Sequence, residues 1–487
     1  MTDSLRKKAE RGAMWSFIDA AGSRMVQFII GVILARLLLP SEFGLLGMLT
    51  IFMAVAQAFL DSGFGVALIQ KKDVTEDDTS SVFYFNVAVG LVLAGLLCLA
   101  APWIASFYEQ PTLSALTRAL SLILVINSFG VVQNAMLARN IAFKTQAKIS
   151  LLSTFCSGCI GVTMAYRGYG IWSLVVQQIG RAIANVVLLW VFNRWRPHLI
   201  FSIIALKRMF VFGSRMLASS LLSEVFNNIY YVVIGKVFSP TDLGHYSRAA
   251  RLEELPSMTL TGVVTRVSLP VFSSIQDDNA RLKKGLQRML SLLVFVNAPI
   301  MVLLASTASP LVEVLLTDKW LPCVGYLRLL CIQGMLYPLH ALNLNVLMAK
   351  GRSDLFLRLE MLKRGLTLCN VIVSWRWGIT AIILGQIVVG CISYFLNSYY
   401  SGRLLGYPAW SQLRDVSMYL LSAVFVGVGV YALGFIEFPS MMLQLIIQIV
   451  FGLAAYLVLC GLLRLPAFAE SRRFITDRVS ALARFTA

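Results

Sequence analysis

Residues 32–44 read VILARLLLPSEFG, and residues 232–244 read VVIGKVFSPTDLG. Arg36 matches Lys236, Pro40 matches Pro240, Glu42 matches Asp242 and Gly44 matches Gly244, all at an offset of 200 residues. The hairpin entered at this turn ends in Ile69-Gln70-Lys71-Lys72-Asp73 in the first copy and in Ile275-Gln276-Asp277-Asp278 in the second. Further along, Met136-Leu137-Ala138-Arg139 resembles Leu347-Met348-Ala349-Lys350. Gly170-Ile171 with Gln178-Ile179 returns as Gly378-Ile379 with Gln386-Ile387, at an offset of 208. Several matches in one order at nearly constant spacing mark an internal duplication, which sets the topology.

What is duplicated is a set of membrane helices. Of the 487 residues, 58% are hydrophobic and 14% charged, against about 25% charged in an ordinary soluble domain. A mean hydropathy of +0.76 excludes a soluble globular enzyme and a disordered chain alike. About 20 apolar residues cross a bilayer core, and that ruler yields fourteen candidate spans. They include 14–38, 42–70, 114–138, 209–238 and 250–275, with the last at 440–463. The duplication covers spans 1–6 and 7–12, and spans 13 and 14 are an addition. Because each copy has an even number of spans, the copies are parallel repeats, an architecture of transporters that rock around a central cavity. The expected organisation is a six-helix lobe over 1–200, a second over 201–405, and a region 406–487 with spans 13 and 14 and a basic tail.

The net charge of +18 reads as basic loops against an anionic leaflet, not as a nucleic-acid footprint. Lys and Arg crowd the N-terminal segment, the even-to-odd loops and the tail, with Arg6, Lys7, Lys8, Arg11, Lys283, Lys284, Arg472 and Arg473 among them. Few fall on the other side, where Arg36, Arg167, Lys236 and Lys319 lie. By the positive-inside rule both termini face the cytoplasm.

Charges at the bilayer centre cost about 2.5–3.5 kcal/mol each on insertion scales, so they turn toward a partner or a wet cavity. The deepest are Arg24, Asp61, Arg181, Glu224 and Arg266. On span 1, Ser16, Asp19, Ser23, Arg24 and Gln27 share an arc of about 140°. On span 7, Glu224, Asn227, Asn228 and Tyr231 follow i, i+3, i+4, i+7 and share one face. Spans 1 and 7 are equivalent helices of the two repeats, so their polar stripes suit a common cavity. The bland alternative is a polar helix–helix contact with no ligand. Arg24 and Arg266 are the leading ligand candidates, and Arg215 either meets the cargo on entry or snorkels. Asp61 pairs an arginine, senses a coupling ion or caps a helix break at Gly63 and Gly65, while Asp19 is a further charge-pairing candidate. Arg118 and Arg328 read as interfacial snorkels, and Glu360 with Lys363 and Arg364 as a local salt bridge. Arginine outweighs acid among these groups, and its planar fork suits phosphate. The cargo is therefore expected to be anionic.

Other chemistry is thin. His198, His245 and His340 are dispersed, and no Walker A, G-x-S-x-G or H-E-x-x-H pattern occurs, so neither a cofactor nor an enzymatic activity is expected. Cys156-x-x-Cys159 lies inside a span and reads as small residues on a helix–helix contact.

Gly12-Ala13-Met14-Trp15-Ser16, the turn Pro40-Ser41-Glu42-Phe43-Gly44, and Asp61-Ser62-Gly63-Phe64-Gly65 with Ile69-Gln70 carry a family resemblance. Together with Ser274-Ile275-Gln276-Asp277-Asp278 and Leu347-Met348-Ala349-Lys350, they resemble the Wzx-type oligosaccharide flippases, most closely the colanic-acid-type exporters. That group sits in the multidrug/oligosaccharidyl-lipid/polysaccharide superfamily. The resemblance implies a multi-pass protein of the bacterial inner membrane. It implies that undecaprenyl-pyrophosphate-linked oligosaccharide units are flipped to the periplasmic leaflet for exopolysaccharide, capsule or O-antigen assembly. A polymerase and chain-length machinery are the implied partners, and proton or sodium coupling stays open. Spans 1, 2, 7 and 8 would line the cavity, with Arg24, Arg215, Arg266, Glu224, Asn227 and Asn228 facing cargo.

Three rivals make different demands. A multidrug or cation antiporter of the same superfamily needs an essential acid, so Asp61 or Glu224 would outrank Arg24. A membrane-embedded polymerase needs a large extramembrane loop, and the loops are short. A lipid II flippase shares the architecture and differs in cargo.

Overall fold

The computed structural model describes residues 22–61, 63–71 and 73–472, without the side chains at 205, 208–212, 215, 263 and 266. The described residues form helices joined by short connections and contain no strand. After α1 (22–37) come α2 (Pro40–Asp61), α3 (Phe64–Gln70), α4 (Glu76–Tyr108), α5 (Thr112–Ser128), α6 (Val131–Arg139), α7 (Phe143–Tyr166) and α8 (Ile171–Phe192). Next are α9 (Ile203–Asn227), α10 (Ile229–Val237), α11 (Pro240–Ser274), α12 (Asn279–Ser306) and α13 (Ala308–Leu316). The last are α14 (Cys323–Ala349), α15 (Ser353–Ser374), α16 (Ile379–Leu405), α17 (Ala409–Leu433) and α18 (Met441–Leu462).

Eight described helices are long and apolar enough to cross a bilayer, and ten do if each of two bent pairs is one span. The bends fall inside expected spans 4 and 7: α5 and α6 meet at 43°, and α9 and α10 at 40°. Four further expected spans coincide with α1, α11, α14 and α15. α1 is described only from residue 22, and α15 is interrupted by Arg358, Glu360, Lys363 and Arg364. α11 carries Arg248, Arg251, Glu253 and Glu254, and α14 carries Arg328, Pro338 and His340.

The repeated turn shows why its residues recur. Glu42 Oε2 accepts the Leu39 N–H at 2.7 Å, and Asp242 Oδ2 accepts the Ser239 N–H at 3.3 Å and its hydroxyl at 2.6 Å. Each acid sits in the first turn of its helix and satisfies a donor that the helix cannot use. Pro40 and Pro240 open the two helices, where a missing N–H costs nothing. Gly44 and Gly244 then meet the opposite turn. An ideal Cβ on Gly44 would lie 1.7 Å from the Pro240 carbonyl oxygen, and one on Gly244 would lie 1.9 Å from that of Pro40. Only glycine permits this reciprocal approach.

The chain forms two compact units, Met1–Gly244 and His245–Ala487. In the first, α2 is packed by α5, α9 and α10, while α4 pairs with α5 and α7 with α8. Gly63 breaks α2 from α3 in the left-handed region, at φ 72°. A Cβ there would stand 2.8 Å from the Gly213 Cα on α9. In the second unit α12 lies against α14 and α17, with Leu282, Leu286, Leu290 and Leu293 buried along one face. A buried amide pair crosses that core. Asn343 Nδ2 donates to Gln412 Oε1 at 2.9 Å, Gln412 Nε2 donates to Asn343 Oδ1 at 3.1 Å, and the Ser401 hydroxyl also donates to Asn343.

Candidate functional site

A recess of about 440 Å³ opens within the first unit between α2, α3, α5, α6 and α8. Its polar lining is Gln57, Asp61, Asn127, Asn134 and Asn185; its apolar lining includes Val66, Ile69, Val131 and Leu189. The helix breaks create the space. Gly63 ends α2, and Gly130, at the bend between α5 and α6, takes its place in the wall. The volume falls in the range of small-ligand sites, about 300–1,000 Å³.

The polar groups are partly wired together. Asn127 Nδ2 donates to Gln57 Oε1 at 3.0 Å, and Gln57 Nε2 donates to Asp61 Oδ1 at 3.1 Å. Asn134 Oδ1 accepts from Gln146 Nε2 at 2.9 Å. The Asn185 side chain makes no hydrogen bond among the described residues. Among the described residues, four carboxamides, each with donors and an acceptor, stand beside one carboxylate and no basic lining side chain. Such a surface repels an anion and suits a neutral ligand rich in hydroxyls.

Among the described residues, Asp61 is the one sequence candidate that lies in this recess, where Gln57 holds it. Its hydrogen bond among the described residues is the one from Gln57, with none to the backbone at the helix break. Glu224 and Asn228 meet at the bend between α9 and α10. Asn228 Nδ2 donates to the Glu224 carbonyl oxygen at 2.8 Å and lies 3.4 Å from its Oε2. Asn227 is exposed. The continuous polar face expected of span 7 is therefore interrupted by a bend just after Asn227. Arg24 is exposed on α1. Asp19 lies outside the described residues, as do the side chains of Arg215 and Arg266.

Other sequence candidates resolve differently. With the Gln27 amide oxygen turned to α8, it accepts from both Arg181 terminal nitrogens at 2.8 and 3.0 Å. Glu360 pairs with Lys363 and, at 3.8 Å, with Arg364, the local salt bridge read from the sequence. Cys156 and Cys159 point outward, and the helix contact is made by the residues between them. Gly158 packs so close to Ile30 that a Cβ would sit 2.0 Å from its Cδ1. No group of three metal-ligating side chains occurs among the described residues.

Comparison with known proteins identifies the family. The profile described as "Polysaccharide biosynthesis protein" matches residues 33–325, well over half of the chain. The chain belongs to that family. This polysaccharide biosynthesis protein is 30% identical to the teichuronic acid biosynthesis protein TuaB of Bacillus subtilis, over 72% of this chain and 73% of TuaB. It is 27% identical to the lipopolysaccharide biosynthesis protein WzxC of Escherichia coli, over 81% of each chain. Among solved structures, the inward closed conformation of the lipid II flippase MurJ superposes with a TM-score of 0.77 at 15% identity. That match covers 93% of this chain and 98% of MurJ. An inward-facing transporter of the multidrug resistance MATE family superposes with a TM-score of 0.59 at 15% identity, over 78% of this chain and 95% of that one. The two structures show a shared transporter fold, and the family membership rests on the sequence matches.

Neutral amides were missed in the sequence because charge was the criterion there. Gln57, Asn127, Asn134 and Asn185 each interrupt an otherwise apolar stretch. Counting amides within apolar stretches as well as charges would have found them.

Proposed function

We propose that this chain flips a lipid-linked oligosaccharide, carried on undecaprenyl pyrophosphate, across the bacterial inner membrane for polysaccharide export. One observation carries the reading: a member of the polysaccharide biosynthesis family holds an amide-lined recess within apolar helices. Sugar hydroxyls would otherwise lose their water in crossing, and carboxamides replace those hydrogen bonds. The recess takes the saccharide, while Arg24, Arg215 and Arg266 meet the pyrophosphate elsewhere with charge-assisted bonds. Glu224, Asn227 and Asn228 face the same cargo from the second repeat, and Asp19 and Asp61 balance charge or couple an ion. The chain works by alternating access between two parallel lobes, 1–200 and 201–405, with fourteen crossings and both termini cytoplasmic. Spans 13 and 14, in 406–487, stand outside the repeats, and a polymerase with its chain-length machinery receives the product.

Reconstitution in vesicles tests this. Purified chain should expose an inner-leaflet undecaprenyl-pyrophosphate saccharide to an external lectin. Asn185→Ala and Arg24→Ala should slow the exposure more than Asp61→Asn does. Loss with Asp61→Asn alone, accompanied by transport of cationic drugs, would favour the antiporter.

A further inference from the structure

A second cavity, of about 250 Å³, lies within the other unit where α13, α14, α17 and α18 meet. Arg328 lines it, with its guanidinium 5.3 Å from the Tyr431 ring centroid. Arg328 Nε is buried and has no hydrogen-bond partner, and no carboxylate pairs with the side chain among the described residues. The half-buried side chain keeps the interfacial place read from the sequence, with its Nε turned to the cavity wall. Gln448, 1% exposed, lines the same cavity. Its Nε2 donates to the Val430 carbonyl at 3.0 Å, leaving its buried Oε1 with no donor. Ser309 and Gln444 complete the polar wall.

A buried guanidinium N–H without an acceptor is costly, and so is a buried amide oxygen without a donor. The two orphans define a complementary ligand: an anion with a hydrogen-bond donor a few ångströms away. Location narrows it further. Residues 434–440 join α17 to α18, both long and apolar enough to span a bilayer. Their junction therefore lies at a membrane interface. Phe435 and Met441 rim the opening with exposed apolar surface, as a site open to lipid requires. We infer that this cavity binds the phosphodiester headgroup of an anionic membrane lipid. Arg328 takes the phosphate, stacked on Tyr431, and Gln448 Oε1 accepts from a headgroup hydroxyl. The site is independent of the cargo reading above.

The test uses the purified full-length chain in detergent, with lipid affinity read by native mass spectrometry and by thermal shift. The probes are phosphatidylglycerol, phosphatidic acid, phosphatidylcholine and inorganic phosphate. Wild type should bind phosphatidylglycerol most tightly. Arg328→Gln should weaken that binding roughly ten- to a hundred-fold, the value of one or two charge-assisted bonds. Gln448→Met should erase the preference for phosphatidylglycerol over phosphatidic acid, whose headgroup has no glycerol hydroxyls. Without added lipid, Arg328→Gln should melt close to wild type, because the half-buried side chain makes no hydrogen bond or ion pair among the described residues. Equal binding of phosphatidylglycerol and phosphatidylcholine would overturn the inference, as would full retention in Arg328→Gln. Equal stabilisation by inorganic phosphate would also overturn it, by making the ligand a free anion. An Arg328→Gln chain that melts lower without lipid would assign the arginine a structural role instead.

Discussion

Replacing Gly44 with alanine probes the closest backbone contact in the first unit. The added methyl would lie 1.7 Å from the Pro240 carbonyl oxygen, and carbon–oxygen contacts below about 3 Å do not persist, so the two turns must part by roughly 1.3 Å. Backbone cannot rotate away as a side chain can, which puts the cost at the upper end of overpacking penalties, about 2–3 kcal/mol. Gly244→Ala should cost nearly as much, with 1.9 Å to the Pro40 oxygen. One separation relieves both clashes, so the double variant should lose only about 3 kcal/mol, well short of the sum. Unfolding of the purified chain in detergent measures all three. Gly95→Ala is the internal control: nothing lies within 4 Å of its added methyl, and alanine in a helix interior should stabilise by about 0.5–1 kcal/mol. Additive losses, or single variants within about 0.5 kcal/mol of wild type, would refute the reciprocal contact.

Three further outcomes follow from the same geometry. Gln412→Ala removes two buried hydrogen bonds to Asn343, which keeps those with Ser401 and the Leu339 carbonyl, and should cost about 1–3 kcal/mol, whereas Ser417→Ala, whose hydroxyl bonds only the Arg414 carbonyl of its own helix, should be neutral in the same unfolding assay. Gly63→Ala faces both the left-handed backbone and the Gly213 backbone, so it should lower the melting temperature more than Gly65→Ala, whose nearest neighbour is 3.7 Å away. Arg352 hydrogen-bonds Asp354 and holds its carboxyl down to about 2. A depressed carboxyl stabilises above its unfolded pKa, about 3.9, and loses that contribution as pH falls through 2. The pair is fully exposed, so any difference between Asp354→Asn and wild type should vanish at pH 2 and in high salt, read by thermal unfolding.

The sequence made the helical class legible, because hydropathy alone sets it, and it revealed the duplication through one turn motif. Its acids and prolines were recognisable as a repeat, but the reason for the glycines needed the structure, since a close approach has no local signature. The break at Gly63 was readable because glycine follows Asp61-Ser62 in an apolar run. The bends at Gly130 and Asn228 were not, because nothing there forbids a straight helix. Charge-counting led to Asp61 but passed over Asn127, Asn134 and Asn185, which lie on three different helices and converge only on folding. It also assigned Arg328 to the interface without revealing that its guanidinium turns inward over Tyr431.

Lipid-linked saccharides in a strain lacking this gene test the central claim most directly. They should be extracted, identified by mass spectrometry and assigned to a leaflet, with complementation by wild type, Asn185→Ala and Arg24→Ala. An undecaprenyl-pyrophosphate oligosaccharide should accumulate on the cytoplasmic side, be cleared by wild type, and be cleared poorly by either variant. An unchanged lipid-linked pool, with altered sensitivity to cationic drugs in its place, would contradict the account.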